Sequence, residues 1–249
     1  MTPASHLAKM TRRLLLTNDD GIDAPGLAAL ERACADLADE IIIVAPRDPA
    51  SQIGHRVTTD EPIGLTKYEA NHRYAVHGTP ADCVRVALKA LFADSPPDFV
   101  VSGINYGGNL GRHDFYISGT VAAAREAAFH GIPAFAISNY HRRELPFCWD
   151  TAADRARFAL RHLLENEKLN DGELWNINLP HVAADAREPE LRHCELERAP
   201  LEVAFQREEN DDNGPRFHYT GSYPNRGHNG ISDVAICFGG DVSVTRVPL

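Results

Sequence analysis

Two adjacent carboxylates follow the first apolar segment of the chain. Asp19 and Asp20 come shortly after residues 14–16, three consecutive leucines that are typical of a buried strand. Like charges this close raise each other's pKa and are costly unless they share a cation or a proton. Carboxylate oxygens are ligands that Mg²⁺ and Mn²⁺ prefer. The pair is therefore a candidate metal site, although the same residues could form a plain turn in which Asn18 or Asp20 caps the next helix.

Two later loops carry polar side chains that could complete such a site. Ser51, in the polar loop 46–55, could offer its hydroxyl to a metal or a phosphate, although an ordinary polar loop is the simpler interpretation. Segment 102–111 follows another apolar run and contains four glycines together with Asn105 and Asn109. Glycine lets the backbone approach a ligand closely, and an asparagine side chain can bind a metal or a phosphate. This composition favours a ligand-binding loop.

The glycine-rich segment leads to a helix start at Ser118, Gly119 and Thr120. The first turn of a helix can hold an anion, because its backbone N–H groups are unpaired and its dipole ends there with a positive charge. The alternative is a flexible loop followed by a serine that only caps the helix. The segment is neither a P-loop, since it lacks the Gly-Lys-Ser/Thr sequence, nor a GxGxxG dinucleotide motif.

Alternating strands and helices must position these loops. Apolar runs predict the strands, and helical periodicity or a helix-start pattern predicts the helices between them. The predicted strands are 14–16, 41–45, 63–68, 74–77, 99–102, 134–138 and 175–179. One predicted helix begins at Pro25, and three others span 80–91, 118–130 and 151–164. Such alternation forms parallel sheets, whose ligands collect at the carboxyl ends of the strands. The predicted fold class is therefore α/β with a mostly parallel sheet.

The character of the sequence changes near residue 180. Residues 1–180 are predicted to form the catalytic α/β domain. Residues 181–249 carry charge runs, alternating polarity and few helix signals, so they are predicted to form a β-rich extension that leaves the main domain. A chain of this length fits one large domain with a smaller appendage.

The composition restricts the partners and the location. The formal net charge is −10, whereas binding to a nucleic acid duplex or an anionic membrane relies on lysine and arginine. No apolar run is long enough to span a bilayer, and residues 1–13 lack the apolar region of a signal peptide. The five cysteines form no CxxC pair, which favours a reducing compartment. We therefore predict a cytoplasmic protein that binds neither duplex nor membrane. A small anionic substrate remains compatible with a bound cation.

Five segments carry a recognisable pattern. They are LLLTNDDGIDAPG from Leu14, VAPRDPASQIGH from Val44, HGTPADCVRVAL from His77, PDFVVSGINYGGNLG from Pro97 and SGTVAAAREAAFHGIPAFAIS from Ser118, with a weaker match at GGDVSVTRV from Gly239. TNDDG together with SGxNxGxN and SGTV is a highly specific combination. At these residues the chain closely resembles the SurE (stationary-phase survival protein) family of nucleotidases.

The resemblance implies a Rossmann-like three-layer sandwich with a β-rich C-terminal extension that serves in homodimer or homotetramer assembly. It also implies hydrolysis of nucleoside 5′- and 3′-monophosphates with one Mg²⁺ or Mn²⁺ bound per subunit. The metal ligands carried over onto matching positions are Asp19, Asp20, Ser51 and Asn105. The phosphate neighbourhood maps to Asn109, Ser118, Gly119 and Thr120.

One departure from the family pattern lies beside the predicted phosphate pocket. Six residues separate Gly111 from Ser118, one more than is usual in the family. We expect the additional residue to bulge outward, because loops absorb insertions at little thermodynamic cost. An inward displacement would instead bring Phe115 or Tyr116 into the nucleoside space.

The predicted reaction is hydrolysis of a phosphomonoester by metal-assisted attack of water, with Asp19 or Asp20 also orienting the water. Phosphoryl transfer to an aspartate carboxylate is the chemical alternative. A nucleotide-binding regulatory protein with little or no catalytic activity is the alternative from another class. An NAD-dependent oxidoreductase is disfavoured, because the first βα turn has acids where a pyrophosphate requires glycines.

Overall fold

The computed structural model describes residues 12–68, 72–167, 170–209 and 214–249. Most of segment 1–13, for which the absence of a signal peptide is predicted, lies outside these ranges. The described strands are β1 (Arg13–Thr17), β2 (Glu40–Pro46), β3 (Gly64–Lys67), β4 (Arg73–His77), β5 (Phe99–Tyr106), β6 (Ala134–Asn139), β7 (Glu173–Leu179), β8 (Leu191–His193), β9 (Phe205–Glu208), β10 (Arg216–Tyr219) and β11 (Val242–Pro248).

Nine of these strands form one central sheet in the order β3-β4-β2-β1-β5-β6-β7-β11-β8. All neighbours from β4 to β7 pair in parallel, so the carboxyl ends of these six strands meet at one edge of the sheet. Strand β3 pairs antiparallel with β4, and β11 pairs antiparallel with β7. The prediction of a mostly parallel α/β sheet is confirmed.

Helices cover both faces of this sheet. They are α1 (Pro25–Cys34), α2 (Pro80–Val86), α3 (Gly111–Ile117), α4 (Gly119–Phe129), α5 (Trp149–Asn166) and α6 (Asp233–Phe238). Predicted helix 80–91 is α2 followed by a π-helical turn, Ala87–Leu91, and Thr79 begins it with a capping box that it forms with Asp82. No helix within the described ranges is long and apolar enough to cross a membrane.

Two apolar cores separate the three layers. Successive leucines of β1 point to opposite faces of the sheet, as the two-residue period of a strand requires. Leu14 and Leu16 pack in the core beneath α1 and α5, whereas Leu15 packs in the core beneath α2 and α4. The predicted three-layer sandwich follows directly from this alternation.

The prediction of segment 102–111 as a loop is wrong in its first half. Strand β5 continues through Tyr106, because its second part pairs with β6 at Asn105↔Ser138 and Tyr106↔Asn139 after an irregularity in the register. Residues 112–117, also expected as loop, belong to helix α3. Phe115 is buried in the core, so packing outweighs the turn signal of the neighbouring glycines.

The chain after residue 180 only partly leaves the sheet. Strands β8 and β11 extend the central sheet, whereas β9 and β10 form a separate antiparallel hairpin. Helix α6 was not expected in this part of the sequence. The predicted boundary between 180 and 181 therefore does not coincide with the edge of the sheet, and a division into two domains stays a prediction.

Candidate functional site

Asp19 lies at the carboxyl end of β1, almost fully buried, with only 4% of its surface exposed. Its Oδ1 accepts a hydrogen bond of 2.5 Å from the Thr120 hydroxyl at the start of α4. The turn predicted as the alternative is also present, because Asn18 exchanges hydrogen bonds with Gly21. The turn uses neither carboxylate, and no side chain caps α1, so the turn and a cation site are compatible.

Asp20 and Asn105 meet at the neighbouring strand end. The backbone of Tyr106, the residue after Asn105, is close enough to the Asp20 carboxylate to act against the rise in its pKa. The Asn105 side chain donates from Nδ2 to the Gly107 carbonyl at 2.7 Å, which leaves its Oδ1 as the atom able to bind a cation. Strands β1 and β5 are direct neighbours, and their pairing runs as far as Thr17 and Ser102, so the segments that carry Asp20 and Asn105 leave the same edge of the sheet.

Ser51 reaches the same edge through the loop after β2. The backbone N–H of its neighbour Ala50 donates to the Asp19 carbonyl at 2.8 Å, so this loop is fixed against the end of β1. Ser51 itself is exposed. Further along the loop, His55 contacts Glu126 of α4 at 2.7 Å. The four predicted metal ligands thus lie at, or in the loops after, three adjoining strands, β2, β1 and β5, and their binding of a metal stays a prediction.

The start of α4 packs directly against Asp19 and against Ala50 in the loop after β2. A Cβ atom added at Gly119 would lie 2.8 Å from Asp19 Cβ and 3.2 Å from the Ala50 carbonyl oxygen, so only glycine fits. Ser118 is the N-cap, and its hydroxyl accepts from the Val121 backbone N–H at 3.1 Å. The Thr120 hydroxyl is occupied with Asp19, which leaves backbone N–H groups as the anion donors of this turn. Assignment of these residues to the phosphate stays a prediction.

Asn109 is anchored from the ends of two further strands. Its backbone N–H donates to Asn178 Oδ1 at 2.8 Å, and its side chain donates to Ser138 Oγ at 2.6 Å. Its carbonyl accepts from the side chains of Asn176 and Asn178. Sequence reasoning missed these supporting residues. The signal was the alternation of asparagine with apolar residues in β7, since buried amides require partners.

The insertion between Gly111 and Ser118 does not fill the site with an aromatic ring. It is absorbed in helix α3, rather than in the expected loop bulge. The Phe115 ring is only 1% exposed and belongs to the core beneath α4. Tyr116 points to the surface and is 63% exposed. The helix start at Ser118 keeps its contact with Asp19 despite the additional residue.

Burial makes the two carboxylates costly as bare charges. Burial, opposed by the Thr120 hydrogen bond and reinforced by the Asp20 charge, raises the pKa of Asp19 to about 6. Burial also raises the pKa of Asp20, against the lowering effect of the Tyr106 backbone. A bound cation would remove this cost by neutralising both groups.

The donor set fits a hard divalent cation. Two carboxylates, a hydroxyl and an amide oxygen are all oxygen ligands, which suit Mg²⁺ or Mn²⁺. Within the described ranges, no group of three or more His, Cys, Asp or Glu side chains is placed to hold a metal. The proposed site, completed by Ser51 and Asn105, therefore relies on two neutral oxygens beside only two acids.

Known proteins resemble this chain in both sequence and fold. Residues 14–202 match the family described as Survival protein SurE. A relative from Nostoc sp. is 45% identical over 234 residues, covering 94% of this chain and 98% of its own. The 5′-nucleotidase SurE of Rhizorhabdus wittichii is 44% identical over 181 residues, covering 72% of this chain and 68% of its own.

The crystal structure of the SurE protein from Aquifex aeolicus has the same fold. It superposes with a TM-score of 0.83 at 28% sequence identity, over 95% of this chain and 93% of that one. Sequence and structure thus agree along nearly the whole length, and the predicted family resemblance is confirmed. The chain belongs to the SurE family.

Proposed function

We propose that this protein is a 5′-nucleotidase that hydrolyses nucleoside monophosphates to nucleoside and phosphate. The observation that carries the proposal is the buried Asp19–Asp20 pair held against the start of α4 by Thr120 and Gly119. In this arrangement the proposed cation site adjoins the proposed anion site, a combination that suits metal-assisted hydrolysis of a phosphomonoester. Relatives named 5′-nucleotidase SurE, at 40–44% identity, support the same activity.

Each residue has a separate role in this proposal. Asp19, Asp20, Ser51 and Asn105 would hold a divalent cation. When bound, the cation would lower the pKa of a water molecule and screen the phosphate charge. The Thr120 hydroxyl orients Asp19 through its 2.5 Å hydrogen bond. The backbone N–H groups at the start of α4 would hold the non-bridging phosphate oxygens, with Asn109 at the opposite side of the pocket.

The finer assignments rest on the chemistry of the ligands and on the family resemblance. We propose Mg²⁺ or Mn²⁺, one per subunit, because all four ligands are oxygens. Hydrolysis of 3′-monophosphates is proposed together with that of 5′-monophosphates. Attack by water is favoured over transfer to an aspartate, since both carboxylates are proposed to bind the cation.

The test is a substrate panel measured with and without metal. Purified protein should release phosphate from AMP and GMP in the presence of Mn²⁺ or Mg²⁺, lose this activity in EDTA and regain it when the metal is restored. Full activity after exhaustive chelation would exclude the metal assignment. Tight nucleotide binding without phosphate release under any metal would favour the regulatory protein instead.

Assembly and location complete the proposal. The hairpin β9–β10 exposes Phe205, Phe217 and Tyr219 on one face, and a two-stranded hairpin is marginal in water unless another surface covers it. We propose that a second copy of the chain covers it in a homodimer or homotetramer. The five cysteines are free, which is compatible with the proposed cytoplasmic location.

A further inference from the structure

A large aromatic side chain stands immediately beside the candidate cation site. Tyr106 follows Asn105 at the end of β5, and its backbone lies close to the Asp20 carboxylate, whose pKa it acts to lower. Its ring is nevertheless 49% exposed. The proposed mechanism gives this ring no task, and exposed aromatic rings next to a phosphate site are suited to stacking on a base.

A cluster of other rings holds Tyr106 in place. Its hydroxyl is 2.8 Å from His141 Nε2, and the two ring centroids are 4.6 Å apart. The Phe147 ring packs edge-on against Tyr106 with 4.9 Å between the ring centroids, and the centroid of the Trp149 ring lies 6.1 Å from that of Tyr106. A ring fixed in this way loses little conformational freedom when a ligand stacks on it.

The same cluster adjoins a cavity of about 450 Å³. Its lining includes Phe147, His181, Asn139, Thr151 and Arg155. The ring centroids of Phe147 and His181 lie 5.5 Å apart. Asn139 pairs with Tyr106 across β5 and β6, so the cavity begins one strand away from the cation site. Mixed aromatic and polar lining of this size is typical of small-molecule sites.

From this placement we infer that Tyr106 and the cavity beside it form the nucleoside subsite, with the base stacked on the Tyr106 ring. The inference rests on the proposed nucleotidase function and names the part of the molecule that would recognise the substrate beyond its phosphate. Tyr106 is thus a specificity-determining residue, and the phosphate contacts at the start of α4 are separate from it.

Tyr116 is the competing candidate, because it is also exposed and lies on α3 near the phosphate turn. The Arg125 guanidinium lies 5.5 Å from its ring centroid, and Phe115 packs edge-on against it at 5.3 Å. Its ring thus packs against Arg125 and Phe115, which do not line the cavity. Tyr106, by contrast, packs against Phe147, which lines the cavity.

The experiment compares AMP with ribose 5-phosphate, which has the same phosphoester and sugar but no base. Tyr106→Ala should raise KM for AMP roughly tenfold, because loss of one base–aromatic stack typically has an effect of this size. The same variant should keep KM for ribose 5-phosphate within about twofold of the wild-type value, since this compound has no base to stack. Tyr106→Phe should retain most of the AMP preference, since the ring remains. Tyr68→Ala, at the opposite end of the sheet, is the control and should leave KM unchanged for both substrates.

A binding measurement separates recognition from chemistry. Adenosine binding in EDTA, followed by calorimetry, should weaken in Tyr106→Ala to the same degree as KM for AMP. An unchanged AMP preference in Tyr106→Ala, or a loss that appears in Tyr116→Ala instead, would overturn the subsite while leaving the nucleotidase intact. A wild-type protein that hydrolyses neither compound would contradict the proposed function itself, and with it the substrate role of Tyr106.

Discussion

At the scale of single residues, the site depends on a very close approach between two elements. Asp19 at the end of β1 touches the first turn of α4 through the Thr120 hydroxyl on one side and the bare backbone of Gly119 on the other. The carboxylate is thus held in one position before any ligand binds. Pre-organisation of this kind lowers the free-energy cost of assembling a cation site.

The charges of the acidic pair can be tested without changing its shape. Asp19→Asn or Asp20→Asn should lower phosphatase activity by at least roughly a hundredfold, because metal assistance contributes several kcal/mol to such reactions. The metal-free variants should be as stable as wild type or more stable, since each removes one of two costly like charges. Mn²⁺ should raise the melting temperature of wild type and not that of the variants. The matched control is Asp23→Asn, because Asp23 is an exposed acid of the same loop. Activity near that of wild type in both site variants would contradict the metal assignment.

Gly119 tests the close approach itself. Gly119→Ala should reduce activity by at least about tenfold and cost roughly 1–3 kcal/mol of unfolding free energy, because its Cβ would overlap Asp19 and force α4 away from β1. Steady-state kinetics and urea unfolding measure the two effects. Gly227→Ala, where a Cβ meets no atom within 4 Å, should change neither. A fully active Gly119→Ala variant would mean that the contact is not required.

At the scale of elements, the sequence predicts the parallel strands of the main sheet better than it predicts segment 103–117, between strand β5 and helix α4. Buried apolar runs such as Leu14–Leu16 identify parallel strands because both faces of each strand are covered. Helix α3 and the second half of β5 could not be predicted, since the local glycine signal favours a loop and only pairing with β6 and burial of Phe115 override it. Residue type and position singled out the four proposed metal ligands but also allowed a plain turn at Asp19 and Asp20, and the motif resemblance then favoured the metal site.

The C-terminal segment holds α3 and the glycine-rich loop in place. Asp233 accepts from the Gly111 backbone N–H at 2.7 Å, and Tyr223 and Arg226 both bond to Asp114. Glu197 ties this segment together, because its carboxylate accepts from the Ser232 hydroxyl and from three backbone N–H groups. The outer part of the chain thus supports the site loop from behind.

The Glu197 carboxylate makes this support dependent on pH. Although burial acts to raise its pKa, these hydrogen bonds lower it from 4.5 to about 2. The ionised form therefore stabilises the fold fully above about pH 4.5, and its contribution is lost as the pH falls towards 2. Glu197→Gln should cost roughly 1–3 kcal/mol at neutral pH, because an amide N–H₂ would face two donors.

Urea unfolding at a series of pH values measures this effect. The difference between wild type and Glu197→Gln should be constant at neutral pH and shrink below about pH 4.5. Glu195→Gln, at an exposed position two residues away, is the control and should show no such trend. A difference between wild type and Glu197→Gln that grows towards acid pH would have the wrong sign for this network.

At the scale of the whole molecule, the hairpin β9–β10 forms a sheet of its own beside the central sheet and exposes an apolar face. Phe217→Asp should shift the protein to a smaller species in light scattering or sedimentation, because a charge on the exposed apolar face would oppose burial against a second copy. Phe158→Asp, on the exposed side of α5, is the control for a surface charge. An unchanged mass for Phe217→Asp would place the assembly surface elsewhere.

The position of β11 has a consequence for how the protein is made. This strand lies between β7 and β8, yet it is the last of the described strands to be synthesised. While a ribosome is still producing it, the outer edge of β7 remains unpaired and β8 has no neighbour in the sheet. Open strand edges attract other chains, so the nascent protein is exposed to aggregation and chaperone capture until β11 emerges. Closure of the sheet therefore has to wait for a strand that is synthesised after both of its neighbours.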